Sequence, residues 1–210
     1  MKVGVIGAGV MGRGIAQVSA MAGHEVVLFD INHEVLASAK AAVSKNLNKA
    51  IELGKLTEEG KLATDANLQY TNSIADVRVD LIIEAIVERL DVKAKVLADL
   101  AEINGEATIY ASNTSSIPLT QIAANFMYPK QVVGIHYFNP AHIMKLVEVI
   151  SAEQTAPEVV KVALEYVKSV NKTCVLAKDA PGFIVNRVAR HFYVEGLKIL
   201  EEDIASHDVI

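Results

Sequence analysis

Short apolar runs of strand length recur at residues 2–6, 25–29, 80–84, 107–111, 132–136, 145–150 and 173–176. Between several of them the apolar residues return at helical spacing. Val159, Val162, Ala163, Tyr166, Val167 and Val170, for instance, fall on one face of a helix. Such alternation of strands and helices predicts β-α-β units. The expected fold class is α/β, with a doubly wound, mainly parallel sheet covered by helices on both faces.

Two stretches do not fit a minimal repeat. Residues 33–63 are long, helix-forming and interrupted at Leu53-Gly54-Lys55, which predicts a helical hairpin inserted after the second strand. Its five lysines and four glutamates make it a solvated, projecting element. The second departure begins at Asp179-Ala180-Pro181, which reads as a helix start with a capping carboxylate and proline in the first turn. Helical patterning then runs to about Asp203 and carries Phe183, Ile184, Val188, Phe192, Leu197 and Leu200. These apolar residues need a partner. The expected organisation is one domain over 1–179 and, over 180–210, the first helix of a second, all-α domain, its apolar face met by later chain or by another chain.

Composition narrows the function classes. No run approaches the roughly 18 apolar residues of a membrane span, and the first residues enter a strand directly, so a cytoplasmic protein without a membrane partner is expected. A net charge of −5 without a dense basic stripe argues against nucleic acid. The single cysteine, Cys174, rules out an internal disulfide framework and cannot make a zinc site by itself. No metal is expected.

Gly7-Ala8-Gly9-Val10-Met11-Gly12 follows a strand and opens a helix, the context in which such a glycine pattern cradles a dinucleotide. Gly7 permits the tight turn, Gly9 lets the backbone approach a pyrophosphate, and Gly12 allows close helix packing. Asp30 ends the second strand near the spacing expected of the carboxylate that binds an adenosine ribose. Its charge repels a 2′-phosphate. A Rossmann-like fold binding NAD rather than NADP is therefore expected.

The chemistry-bearing candidates lie further on. Gly134-Ile135-His136-Tyr137-Phe138-Asn139-Pro140 delivers a histidine at the end of an apolar run, Ser112-Asn113-Thr114-Ser115-Ser116 lies upstream, and Glu148 sits in the next run. Alcohol oxidation needs a base for the hydroxyl proton, which a histidine supplies near neutral pH. Glu148 is placed to fix the imidazole tautomer and stabilise the imidazolium. Ser115 and an amide side chain are candidates to hold the oxygen on which charge develops.

These motifs resemble the L-3-hydroxyacyl-CoA dehydrogenase family, together with Glu84-Ala85-Ile86-Val87-Glu88, Met144-Lys145-Leu146-Val147-Glu148 and Pro181-Gly182-Phe183-Ile184-Val185-Asn186-Arg187. The resemblance covers essentially the whole chain, in family order. It implies that His136 is the catalytic base and Glu148 its partner, and that Ser115 and Asn186 contact the reacting part of the substrate. It places Asp30, Glu88, Lys93, Ser115 and Asn139 near NAD, with Met11 in the phosphate loop. It also implies that the hairpin helps to hold coenzyme A, with Lys40, Lys45, Lys49, Lys55 and Lys61 as candidates for its phosphates, and that the protein is a homodimer through its helical domain. Tyr137 and His142 depart from the family's usual phenylalanine and apolar loop residue.

The expected function is reversible, NAD-dependent oxidation of (S)-3-hydroxyacyl-CoA to 3-oxoacyl-CoA in fatty-acid or related acyl-CoA metabolism. Alternatives are a 3-hydroxybutyryl-CoA dehydrogenase working reductively, another β-hydroxyacid dehydrogenase, or a non-catalytic, crystallin-like nucleotide-binding protein.

Overall fold

A computed structural model describes residues 1–210. Strand β1 (Lys2–Ile6) leads into helix α1 (Val10–Met21) and β2 (Glu25–Phe29), and the inserted hairpin follows as α2 (His33–Glu52) and α3 (Glu58–Ala66). Each hairpin helix carries its own cap, since the Asn32 side chain accepts from the Glu34 amide and that of Thr57 from the Gly60 amide. The chain continues through β3 (Leu68–Thr71), β4 (Leu81–Glu84), α4 (Leu90–Asn104), β5 (Ile109–Ser112), α5 (Leu119–Ala124), β6 (Val132–Tyr137), β7 (Leu146–Ser151), α6 (Pro157–Ser169), β8 (Thr173–Lys178) and α7 (Val185–Glu201).

The eight strands form one sheet in the order β3-β2-β1-β4-β5-β6-β7-β8. All neighbours are parallel except β6 and β7, so the last two strands run against the first six. The order reverses between β1 and β4, which opens a crevice at the carboxyl ends of the strands where such folds bind ligands. The patterning did not reveal β3. It is a four-residue edge strand buried fully only at Leu68, too short to show a period.

Strand alternation sorts the interior into two cores. Val3, Val5, Leu81, Ile83, Ala111, Val133, Ile135, Val147 and Val149 face α1, α2 and α6. Ile6, Ile82, Tyr110, Val132 and Ile150 face α4 and α5. By the same period of two, Glu84, Ser112, His136 and Glu148 all point to the α4/α5 side, at the crevice end of their strands. Four polar residues of a buried sheet thus share one face.

The expected start of the last helix is corrected. Residues 181–184 form a turn, with Gly182 and Phe183 at φ +76 and +45, and the helix begins at Val185. Asp179 does not cap it; its carboxylate accepts from the Thr120 amide at 2.8 Å, at the start of α5. Phe183 belongs to the core rather than to the helix's apolar face. No residue of α7 is buried, and Val188, Phe192, Tyr193 and Leu197 stand in solvent.

Gly12 is where α1 meets the loop after β1. A Cβ there would fall 1.7 Å from the Gly7 carbonyl oxygen, which is backbone and cannot swing away. Gly12→Ala is therefore expected to lower stability by about 1–3 kcal/mol, the cost of overpacking a close contact. At Gly9 a Cβ meets nothing within 4 Å, so Gly9→Ala should leave the unfolding midpoint nearly unchanged. Thermal denaturation of the two variants checks this contrast.

Candidate active site

The crevice has two connected halves. At the first, β1 runs into Gly7, whose φ of +97 turns the chain toward α1 and whose missing Cβ would meet the Ala85 carbonyl at 2.9 Å. The open space at Gly9 lets a ligand approach the backbone at the N-terminus of α1, where free amides and the helix dipole favour phosphate. Asp30 Oδ2 accepts from the Ala8 amide at 2.8 Å and Oδ1 from the Asn32 amide at 2.9 Å, so the carboxylate is already aimed at the glycine loop. Gly7, Gly9, Asp30, Ile31, Val92 and Val96 border a cavity of about 370 Å³ there. Amides for a pyrophosphate, a carboxylate for a ribose and apolar walls for an adenine fit the adenosine half of NAD.

The second half is built on the antiparallel pair. His136 and Glu148 are direct cross-strand partners in the β6/β7 register, so their side chains leave the same face side by side. His136 Nδ1 lies 2.7 Å from Glu148 Oε2. The other carboxylate oxygen, Oε1, accepts from the Ile184 and Val185 amides, both at 2.9 Å. Glu148 thereby does at the start of α7 what Asp179 was expected to do, and brings Asn186 to the site. The imidazole is held edgewise between Phe138 and Phe183, at ring centroid distances of 4.6 and 5.6 Å. His136 Nε2 has no partner within the protein. It faces a cavity of about 430 Å³ bordered also by Met11, Glu88, Lys93, Ser115, Asn139 and Asn186.

Three residues there were not singled out by their sequence position. Asn113 lines the same cavity, and its Oδ1 accepts from the Tyr137 amide at 2.8 Å, tying the turn after β5 to the histidine strand. Glu84, fully buried at the end of β4, receives Lys93 Nζ at 2.6 Å and the Ser112 hydroxyl at 2.7 Å. Ser112 in turn accepts from the Thr114 amide at 3.2 Å. Glu84 closes the apolar run Leu81-Ile82-Ile83 and opens the Glu84–Glu88 motif, but neither pattern names its partners.

Residues 2–180 match the family model described as the NAD binding domain of 3-hydroxyacyl-CoA dehydrogenase. The chain belongs to this family. Among its relatives, the 3-hydroxyadipyl-CoA dehydrogenase of Escherichia coli is 45% identical over 99% of the chain, and the 3-hydroxybutyryl-CoA dehydrogenase of Clostridioides difficile is 39% identical over the whole chain. The crystal structure of (S)-3-hydroxybutyryl-CoA dehydrogenase from Ralstonia eutropha superposes with a TM-score of 0.96 at 38% identity, covering the whole chain. The chain spans 44% of the length of the E. coli relative, and 75% and 74% of the other two.

Within the 3-hydroxyacyl-CoA dehydrogenase family frame, the hairpin lysines divide by their local engagement. Lys49 pairs with Glu52 at 2.9 Å, and Lys40 lies 5.9 Å from the centre of the Tyr70 ring. Lys45 and Lys49 border a polar groove along α2 with Ser44, Asn46 and Asn48.

The carboxyl of Glu88 is held well below its ordinary value. Burial alone would raise its carboxyl, but the hydroxyl of Thr114, the charge and hydrogen bond of Lys93, 3.1 Å away, and the hydroxyl of Ser116 together hold it down at about 2. Because the folded value lies below the ordinary 4.5, the stability it contributes is complete above about pH 4.5 and is lost as pH falls toward 2. Glu88→Gln is expected to flatten the fall in melting temperature between pH 5 and pH 3. Parallel curves for the two proteins would contradict this.

Proposed function

We propose that this protein interconverts (S)-3-hydroxyacyl-CoA and 3-oxoacyl-CoA. The observation that carries the reading is His136 Nε2, free and facing a cavity, on a ring whose Nδ1 is tied to a fully buried carboxylate. NAD, held by the glycine loop and Asp30, supplies the hydride acceptor for C3 of the substrate. His136, neutral before reaction, receives the C3 hydroxyl proton at Nε2, and the imidazolium returns it in the reverse direction.

Glu148 keeps the proton of the neutral ring on Nδ1, so that Nε2 is the basic nitrogen, and opposes the positive charge that forms there. Ser115 and Asn186 both border the cavity and are suited to hold the reacting oxygen. Met11, Glu88, Lys93 and Asn139 line the same cavity, within reach of the nicotinamide half of the coenzyme. The names of the relatives place 3-hydroxybutyryl-CoA and 3-hydroxyadipyl-CoA first among the thioesters to try.

We also infer that residues 180–210 open a second, helical domain. Phe192, 80% exposed, with Val188, Tyr193 and Leu197, forms an apolar face on α7 suited to packing by further helices and to a homodimer built through them.

A panel of 3-hydroxyacyl-CoA thioesters followed by NADH absorbance tests the reading, and it would be wrong if none were oxidised. His136→Gln is expected to reduce kcat by about 10²–10⁴-fold, the usual contribution of a general base, with little loss of NADH affinity. Near-normal turnover would remove His136 from the role of base. Asp30→Ala should weaken NAD by about tenfold or more, as expected for lost hydrogen bonds to a charged group, and relax discrimination against NADP. Steady-state kinetics with both coenzymes reads the ratio.

A further inference from the structure

Beside the histidine, the cavity has a second charged element whose composition exceeds what folding needs. Lys93 lies in the first turn of α4, 1% exposed, between two carboxylates: Glu84 Oε1 at 2.6 Å and Glu88 Oε2 at 3.1 Å. Glu84 also accepts from the Ile86 amide at 2.8 Å on Oε1 and from the Ser112 hydroxyl on Oε2, so both its oxygens are engaged. Glu88 Oε1 accepts from the Thr114 hydroxyl, from the Ser115 and Ser116 amides at 3.1 and 3.2 Å, and from the Ser116 hydroxyl at 3.0 Å. The three charges therefore bind the end of β4, the start of α4 and the turn that carries Ser115 into one unit.

One buried lysine needs one carboxylate. The second, Glu88, is 37% exposed and leaves the unit with a formal charge of −1. That charge stands at the wall of the cavity His136 faces, since Glu88 and Lys93 both line it. A nicotinamide ring is cationic when oxidised and neutral when reduced, so a fixed negative charge beside it distinguishes the two forms. Glu84 and Lys93 are withdrawn from solvent, where charge is less screened than at a surface, and Glu88 closes the unit at its exposed end.

We propose that Glu84 is a positioning residue that holds Lys93 and the Ser112–Ser116 turn in place, and that the surplus negative charge of the Glu84–Lys93–Glu88 unit makes the site favour NAD+ over NADH. This rests on the reading that the nicotinamide occupies the cavity bordered by His136.

The test is the ratio of dissociation constants, Kd(NAD+)/Kd(NADH), measured by NADH fluorescence titration and by displacement with NAD+, without any acyl-CoA. Glu84→Gln keeps the shape and removes one negative charge, and should raise the ratio about tenfold, the size of a unit charge acting over roughly 10 Å at an effective dielectric of about 20. Glu88→Gln, at the exposed end of the unit, should raise it similarly and serves if the buried variant fails to fold. The double variant Glu84→Gln/Lys93→Met restores the charge of −1 through Glu88 and should return the ratio to the wild-type value. An unmoved ratio in the single variants, equal weakening of both coenzyme forms, or no recovery in the double variant would overturn the proposal. If the wild-type protein bound neither coenzyme form, the functional reading would fall and the inference with it; binding with an unmoved ratio would sink the inference alone.

Discussion

The carboxylate of Glu148 is the tie on which the site depends. It is fully buried, and both its oxygens are occupied, one by the imidazole of His136 and the other by two backbone amides at the start of α7. A buried anion is tolerable only when hydrogen bonds replace its hydration. Here the replacements come from two elements, β6 and the start of α7, so satisfying one charge fixes the histidine ring and the path of the chain into the last helix together. Asn186 inherits its place from the same carboxylate.

The antiparallel step between β6 and β7 makes this tie possible. In a parallel ladder, hydrogen bonding is slanted and strands are joined by long crossovers. The short return from Tyr137 to Leu146 instead sets His136 directly opposite Glu148. The strands before it contribute to the same face, because Glu84 and Ser112 are register neighbours and share the side on which His136 lies. One sheet face is apolar near the helices and polar at the crevice end. The change occurs within one or two residues on each strand.

Most of the framework was legible because it depends on local pattern. Apolar runs located seven of the eight strands, the Leu53-Gly54-Lys55 break located the hairpin, and a glycine pattern between strand and helix located the phosphate cradle. Leu68–Thr71 escaped because an edge strand of four residues leaves no period to read. The start of α7 was misplaced because Asp179-Ala180-Pro181 carries every local sign of a cap, while the carboxylate that caps the helix lies 36 residues away at Glu148. Asp179 was recruited by α5 instead. Phe183 was counted on a helical face but turns inward beside the imidazole.

By itself, the sequence determined the fold class, the glycine loop and the positions of Asp30 and His136 at the ends of their strands, since each follows from residue type, spacing of a few positions or strand periodicity. Only the tertiary structure decided the partners: that Glu148 serves two masters, that Lys93 lies between Glu84 and Glu88, and that Asn113 ties its turn to the histidine strand. The physical reason is that a buried charge takes whichever donors the packed elements bring within about 3 Å. Sequence separation does not enter that choice.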